Sequence, residues 1–159
     1  MISIKDALNS NLLYKNYSLF DGFLVGEHSG TSQFKLGQRK GINVGGKKAP
    51  LYVIGINHKE NQLFVGEGEN HPGLFTNVLS FNNNQIDWIS KSDLNEQFLT
   101  KGIEVLTKAE NFENTDAILY EIDDFIYLEF KKPAPLALAE SELEIYHQNI
   151  LIAKNQKQL

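Results

Sequence analysis

The sequence of residues 51–66 is LYVIGINHKENQLFVG, and its pattern indicates the fold class. The first run, 51–56, is rich in β-branched and aromatic residues, which are enriched in strands. A polar segment follows at 57–61, and a second apolar run returns at 62–66. Two such runs around a short polar segment are typical of a β-hairpin. We therefore predict two antiparallel strands joined by a five-residue loop, 57–61.

Further short apolar runs on both sides of this hairpin predict additional strands. They lie at residues 23–26, 33–37, 78–81, 86–89, 103–107, 117–122 and 125–130. The last two runs flank Asp123 and Asp124, which predict a second hairpin turn. Many short strands at regular spacing are typical of a β-barrel or a β-sandwich, so the predicted fold class is mostly β.

The two ends of the chain carry different patterns. Ser3 and Asp6 resemble a helix capping box, and the apolar residues that follow recur at helical spacing, which predicts a helix over about 4–14. Near the other end, the apolar residues of 143–152 suit either two strands around a turn at 147–149 or a helix. Periodicity leaves both open. The polar segment 154–159 predicts a frayed terminus.

Composition excludes several classes of function. The chain has 159 residues and no cysteine, so it has no disulfide, no thiolate metal site and no cysteine nucleophile. No apolar run approaches the roughly 20 residues that span a bilayer, and residues 1–6 lack a signal-peptide pattern, which predicts a cytoplasmic protein without a membrane partner. A net charge of −5 argues against strong unspecific RNA binding, although a local basic patch stays open.

One stretch carries motifs of a known family. It contains Gly26-Glu27-His28-Ser29-Gly30, then Leu36-Gly37-Gln38-Arg39-Lys40-Gly41, then Val44-Gly45-Gly46. These motifs resemble the middle domain of bacterial tRNA-specific 2-thiouridylases, in which a GEHxG turn leads into a TxGQRKG loop. The resemblance continues through 51–54, 61–66, 71–72 and 74–75, and it reaches Trp88.

The resemblance implies a domain organisation. It implies a lead-in helix at 1–20, a middle-domain-like unit at 21–78, and an antiparallel β-barrel of the elongation-factor-domain type at 79–159. Over residues 100–159 the likeness is thin. Three features of the family are replaced here. Glu140-Ser141 stand where the family has a Gly-Gln pair, Val-Leu-Thr at 105–107 stand where it has a basic strand, and Leu-Ile-Ala-Lys at 151–154 stand where it has a terminal glycine-rich turn.

The resemblance also bears on catalysis. The family's chemistry uses an N-terminal domain with an ATP-binding loop and two cysteines, and this sequence contains neither. Because a persulfide cannot form without a thiol, we expect no enzyme activity and no cofactor from this chain alone. Activity is expected only in a split enzyme, whose other half would be a separate ATP-binding sulfurtransferase chain.

The best candidates for ligand contact are residues of the motif loop and its neighbours. Arginine offers five donors in a planar fork that suits phosphate, and flanking glycines let the backbone approach a ligand closely. The candidates for RNA or phosphate binding are His28, Gln38, Arg39, Lys40, Lys47 and Lys48. The alternatives are that Arg39 pairs with a carboxylate and that His28 is a hydrogen-bonded structural residue. The histidines lack metal-ligand spacing, so we assign no metal site.

Two functions are favoured over a third, a small-molecule enzyme, for which the sequence supplies no nucleophile–base pair and no metal cage. The first is a non-catalytic module that binds tRNA or another RNA. The second is a protein-interaction or scaffold domain, such as one half of a split thiouridylase, that has lost RNA binding. The 16 Phe and Tyr residues lie mostly in apolar runs, which favours core packing over exposed base stacking.

Overall fold

The structure, a computed structural model, describes residues 3–10 and 17–155. Within those residues the chain forms two short α-helices, α1 (Ile4–Ser10) and α2 (Glu96–Lys101). The described strands are β1 Leu51–Asn57, β2 Gln62–Glu67, β3 Phe75–Asn82, β4 Ile86–Trp88, β5 Ile103–Lys108, β6 Thr115–Ile122, β7 Phe125–Pro135, β8 Glu144–His147 and β9 Ile150–Asn155. The predicted mostly-β fold with a short helix near the N-terminus is confirmed.

The chain divides into two compact units, of which the first comprises residues 17–75 and 135–137. Its centre is the antiparallel hairpin of β1 and β2, with Leu51 opposite Glu67 and Asn57 opposite Gln62. The hairpin prediction is confirmed, but the loop is 58–61 because Asn57 still pairs with Gln62. Leu51, Val53 and Ile54 are buried and form part of the core.

Gly55 lies where the ring of Tyr17 packs against the hairpin. A Cβ atom at Gly55 would be 2.6 Å from Cδ2 of Tyr17. That ring is stacked on Phe64, with 5.3 Å between ring centroids. Its partial burial and, to a smaller extent, the charge of Asp21 raise the pKa of Tyr17 above its ordinary value. Only glycine leaves room for this packing.

We expect the Gly55→Ala variant to lose about 1–3 kcal/mol of unfolding free energy, the usual cost of overpacking a filled site. For a chain of this size that loss lowers the melting temperature by a few degrees per kcal/mol. Gly45→Ala is the matched control, since no atom lies within 4 Å of its added Cβ. Equal melting temperatures of the two variants in a thermal scan would contradict the close packing of Tyr17.

The strands predicted at 23–26 and 33–37 are wrong. Residues 23–28 are irregular, with Phe23 and Leu24 being 80% and 84% exposed, and Thr31–Gln33 form a 3-10 turn. A strand needs a partner along its length. Segment 34–38 meets β1 at one place, where Gly37 N–H donates to Val53 O at 2.7 Å and Val53 N–H donates to Gln38 O at 2.9 Å.

The second unit comprises residues 3–10, 76–134 and 138–155 of the described chain. Its sheet has the strand order β3-β7-β6-β5-β8-β9-β4, a curled half-barrel with β3 and β4 at its edges. The pairings β4–β9, β5–β6, β5–β8, β6–β7 and β8–β9 are antiparallel. The predicted turn at Asp123-Asp124 is confirmed, and Asp123 takes a φ of 55° there.

The C-terminal segment is a pair of strands, which decides between the two open alternatives. His147 pairs with Ile150, and Gln148 and Asn149 form the turn with φ angles of 49° and 65°. The prediction of a frayed end from residue 154 is wrong for 154 and 155, which belong to β9. Asn155 is buried and its Nδ2 donates to Ser141 O at 2.8 Å. Residues 156–159 lie outside the described residues.

Helix α1 contributes to the core of the second unit. The Asp6 N–H donates to Ser3 Oγ at 3.1 Å, as the capping pattern predicted, and Leu8 is buried with Val78, Tyr120 and Tyr127. The predicted helix is confirmed over 4–10, and 11–14 lie outside the described residues. The domain limits at 20/21 and 78/79 stay a prediction.

Helix α2 was not predicted from the sequence, although its ends carry ordinary helix signals. Asn95 caps the helix by accepting a hydrogen bond from Gln97 N–H at 2.9 Å, and Gly102 ends it. Of the helices formed by residues 3–10 and 17–155, none has the length and apolar character that crossing a bilayer requires.

Candidate functional site

The cationic loop, defined here as residues 35–48, is the most basic part of the first unit. It contains Lys35, Arg39, Lys40, Lys47 and Lys48. No Asp or Glu occurs between Glu27 and Glu60, so 28–59 carries a charge of +6 while the rest of the chain carries −11, which together give −5. Because the field at a surface follows nearby charges, this loop is positive despite the acidic total.

Backbone hydrogen bonds and glycines determine the shape of the loop. Its two hydrogen bonds with Val53 hold residues 37 and 38 against β1. Gly37 and Gly41 have φ angles of 81° and 84°, in the left-handed region that glycine adopts without a steric penalty. The two motif glycines therefore mark the turns on either side of Arg39 and Lys40.

The side chain of Gln38 closes the loop from within. Its Oε1 accepts from Lys35 N–H at 3.0 Å, and its Nε2 donates to Lys40 O at 2.8 Å. The residue is half-buried. These bonds give Gln38 a role in shaping the loop, which was not predicted from the sequence. Direct ligand contact by Gln38 stays a prediction that this geometry does not favour.

His28 ties the GEHSG turn to the hairpin loop. Its Nδ1 accepts from Gly30 N–H at 3.1 Å, which leaves the proton on Nε2, and Nε2 donates to Asn61 O at 3.1 Å. The ring also packs edge-on against Phe34, with 5.8 Å between centroids. Both ring nitrogens are thus engaged, as expected for the structural alternative, and ligand contact by His28 stays a prediction without support here.

Arg39, Lys40, Lys47 and Lys48 are exposed. Among residues 3–10 and 17–155 the ion pairs are Lys5–Asp123, Lys91–Glu121, Lys131–Glu104 and Lys154–Glu144, and none includes a cation of the loop. The alternative in which Arg39 pairs with a carboxylate is therefore not formed within the described chain. Lys47 Nζ lies 5.1 Å from the centroid of the exposed Phe23 ring.

A pocket opens beside Arg39 with a volume of about 370 Å³. It was not predicted from the sequence. It is lined by Arg39, Ile42, Asn43, Val44, Gly45, Pro50 and Leu51. Val44 also packs on Gly26 of the GEHSG turn, where an added Cβ would lie 2.9 Å from Val44 Cγ2. Within the described chain, no group of three or more His, Asp or Glu side chains is arranged to hold a metal ion.

The sequence of this chain matches one protein-domain family and several curated proteins. The sequence model of the tRNA methyl transferase PRC-barrel domain matches residues 16–67. The chain is 35% identical over 154 residues to the tRNA-specific 2-thiouridylase MnmA of Karelsulcia muelleri (strain GWSS), covering 89% of this chain and 38% of that protein. It is 30% identical over 154 residues to the enzyme of the same name from Flavobacterium johnsoniae, covering 95% and 38%.

A shorter match has higher identity. The chain is 44% identical over 75 residues to the tRNA-specific 2-thiouridylase MnmA of Pseudoalteromonas translucida, covering 45% of this chain and 20% of that protein. The chain therefore spans less than two-fifths of the length of these curated relatives. On these matches, this chain is related to the tRNA-specific 2-thiouridylases and resembles their middle and C-terminal part.

Proposed function

We propose that this chain is a non-catalytic accessory module that binds tRNA through the cationic loop. One observation carries the proposal: Arg39 and Lys40 are exposed, form no ion pair within the described chain, and stand on a loop that Gln38 and β1 hold in shape. A guanidinium that is not paired with a carboxylate keeps its donors for phosphate oxygens.

The choice of tRNA rests on the relatives, whose names describe enzymes specific for tRNA. The assignment of a non-catalytic role rests on the absence of cysteine from the sequence, because sulfur transfer through a persulfide needs a thiol. In this proposal the loop supplies binding energy and orientation, and the chemistry belongs to residues outside this sequence.

The acidic net charge does not oppose this proposal. Charges more than about 8–10 Å from a phosphate are largely screened at physiological salt. Residues 28–59 carry six cations and no carboxylate of their own. The Glu67 carboxylate lies at the end of the loop, where it accepts a hydrogen bond from Ala49 N–H at 2.8 Å, so the cations outnumber the acidic groups there. Acidic residues elsewhere would repel RNA from other surfaces and leave the loop as the preferred contact.

The salt dependence of tRNA binding tests the proposal. If the five cations of the loop all contact phosphate, a plot of log K against log salt should have a slope of about −4, since each contact releases counterions. The measurement is fluorescence anisotropy of a labelled tRNA over a series of salt concentrations. Absence of binding at low salt, or a flat plot, would contradict phosphate recognition.

A second candidate function, a protein-interaction domain, is favoured by one surface feature. Leu19, Phe20 and Leu24 are 73%, 100% and 84% exposed. Leu19 and Phe20 are adjacent in the chain and Leu24 follows four residues later. Exposed apolar side chains that lie near one another mark interaction sites more often than isolated ones do. The partner that the family resemblance suggests is a separate ATP-binding, cysteine-bearing sulfurtransferase chain, as in a split enzyme.

Affinity capture followed by mass spectrometry tests this second candidate. We expect the wild-type chain to retain a sulfurtransferase of that description and the Phe20→Asp variant to lose it, because a charge would be buried in the apolar contact. The variant should bind tRNA like the wild type. Capture of no such sulfurtransferase by the wild-type chain would reject the split-enzyme interpretation.

A further inference from the structure

The pocket beside Arg39 combines one cation with an aliphatic wall. Ile42 and Val44 are half-buried, Leu51 is buried, and Arg39 is the only ionisable side chain in the lining. Phosphate oxygens need donors and gain nothing from aliphatic side chains. A ligand that uses the whole pocket therefore has an anionic group next to an apolar surface.

Asn43 adds a polar group suited to the edge of a nucleobase. It lies in the lining with a φ of 55°, a left-handed conformation that asparagine tolerates. Its exposed amide, like the Arg39 guanidinium, has no hydrogen-bond partner among residues 3–10 and 17–155. An asparagine amide presents one acceptor and two donors, the combination that pairs with the edge of adenine.

The size of the pocket restricts the ligand further. A volume of about 370 Å³ falls at the lower end of small-molecule pockets, which are typically about 300–1,000 Å³. A volume of this size has room for one nucleotide. A base whose face lies against Ile42 and Val44 is not stacked on a neighbour on that side, a condition met by the unpaired bases of the single-stranded loops and ends where sequence-specific RNA recognition occurs.

A second base-binding feature adjoins the pocket. Two contacts, Gly26 with Val44 and Phe23 with Lys47, show that segment 23–26 runs alongside 44–47. The Phe23 ring is 80% exposed. Exposed aromatic rings beside cations are the platform on which single-strand-binding proteins stack bases. The structure thus offers a pocket and a ring on adjoining segments of one surface.

We propose that this surface binds unpaired nucleotides of a single RNA strand, with one base in the pocket against Ile42 and Val44, its phosphate on Arg39, and a neighbouring base stacked on Phe23. This inference rests on the proposed RNA-binding function and adds to it a preference for unpaired nucleotides. The preference distinguishes the surface from a purely electrostatic contact, which would accept any phosphate backbone.

Two RNA probes with equal numbers of phosphates test the preference: an unstructured oligonucleotide and a fully paired hairpin. Asn43→Gly is the informative variant, since glycine readily adopts the left-handed backbone and removes the side chain that carries the amide. We expect it to weaken binding of the unstructured strand at least fivefold, with an unchanged salt slope and an unchanged affinity for the hairpin. Phe23→Leu should act in the same direction.

Matched controls are available in the second unit. Asn111 has a φ of 66° and is exposed, so Asn111→Gly makes the same substitution elsewhere. Phe98 is 60% exposed, so Phe98→Leu removes an exposed ring elsewhere. Neither control should change the affinity for either RNA. If Asn43→Gly and Phe23→Leu also leave both affinities unchanged while the wild type binds tRNA, the inference fails and the proposed function stands.

The affinities for adenosine 5′-monophosphate and ribose 5-phosphate, which differ only by the base, show whether the pocket binds a free nucleotide instead of an RNA strand. If the wild type binds both RNA probes equally and also binds the two small probes equally, the base contributes nothing and the inference is overturned. If the mononucleotide binds at least tenfold more tightly than ribose 5-phosphate but neither RNA binds, the pocket serves a free nucleotide. In that case both the RNA inference and the proposed function fail.

Discussion

The double variant Arg39→Ala/Lys40→Ala should bind tRNA at least tenfold more weakly at low salt than the wild type. Each charge-assisted hydrogen bond to phosphate contributes about 1.5 kcal/mol or more, and a factor of ten corresponds to about 1.4 kcal/mol. The plot of log K against log salt should also become shallower by about two, one for each cation removed. Anisotropy titrations at several salt concentrations measure both quantities.

The matched control is Lys131→Ala/Lys132→Ala, which removes two adjacent exposed cations from β7. Its one ion pair, Lys131 with Glu104, spans 3.0 Å between two exposed side chains, so the control should still fold. Its tRNA affinity and salt slope should match those of the wild type. Equal losses in both double variants would mean that RNA senses total charge, and the loop would then have no special role.

The Gly102→Ala variant should lose about 2–6 kcal/mol of unfolding free energy. Gly102 has φ 97° and ψ 136°, a conformation that side-chain-bearing residues adopt at a cost of about 1–3 kcal/mol. An added Cβ would also lie 2.7 Å from both Ile118 Cγ2 and Tyr120 Cε1. Tyr120 is buried and its ring has little room to move, so overpacking adds about 1–3 kcal/mol.

Gly68→Ala separates these two contributions. Gly68 has a φ of 93°, but no atom lies within 4 Å of the Cβ that alanine would add. This control should therefore show the backbone strain without the steric overlap and lose about 1–3 kcal/mol. Calorimetry of both variants gives the comparison. If Gly102→Ala were no less stable than Gly68→Ala, the packing of Ile118 and Tyr120 against Gly102 would be refuted.

Most strands could be predicted because their partners are close in sequence. The β1–β2 hairpin has apolar runs on both sides of a polar turn, and the turn at Asp123-Asp124 joins β6 and β7 in the same way. In such hairpins the hydrophobic pattern and the turn residues specify the same structure. Helix α2 was missed because it is only six residues long, too short for helical periodicity to appear.

The failures share a different cause. Residues 23–26 have the composition of a strand, yet they form none, and Phe23 and Leu24 are exposed. Apolar composition indicates that a segment prefers to leave water, but it does not specify a neighbour that can pair with it. The Phe20 ring, a few residues before this segment, is likewise fully exposed.

The sequence motif located the candidate site, but it did not predict what each residue of the site does. The sequence indicated the loop around Arg39 and Lys40, because cations between glycines are a local feature. The hydrogen bonds of Gln38 and His28 could not be inferred, since their partners include Lys40 O and Asn61 O in the folded backbone. Asn43 was not among the predicted ligand-binding residues, because only the folded structure places it in the lining of a pocket.

By itself, the sequence determined the mostly-β class, the two hairpins, the absence of cysteine from these 159 residues and the likeness to the thiouridylases, since composition, nearest-neighbour pairing and contiguous motifs are properties of the chain. Tertiary structure alone decided that the C-terminal segment forms strands, that Arg39 has no carboxylate partner in the described chain, and that a pocket opens beside it. These features depend on residues far apart in sequence, whose approach is set by the packing of the whole unit.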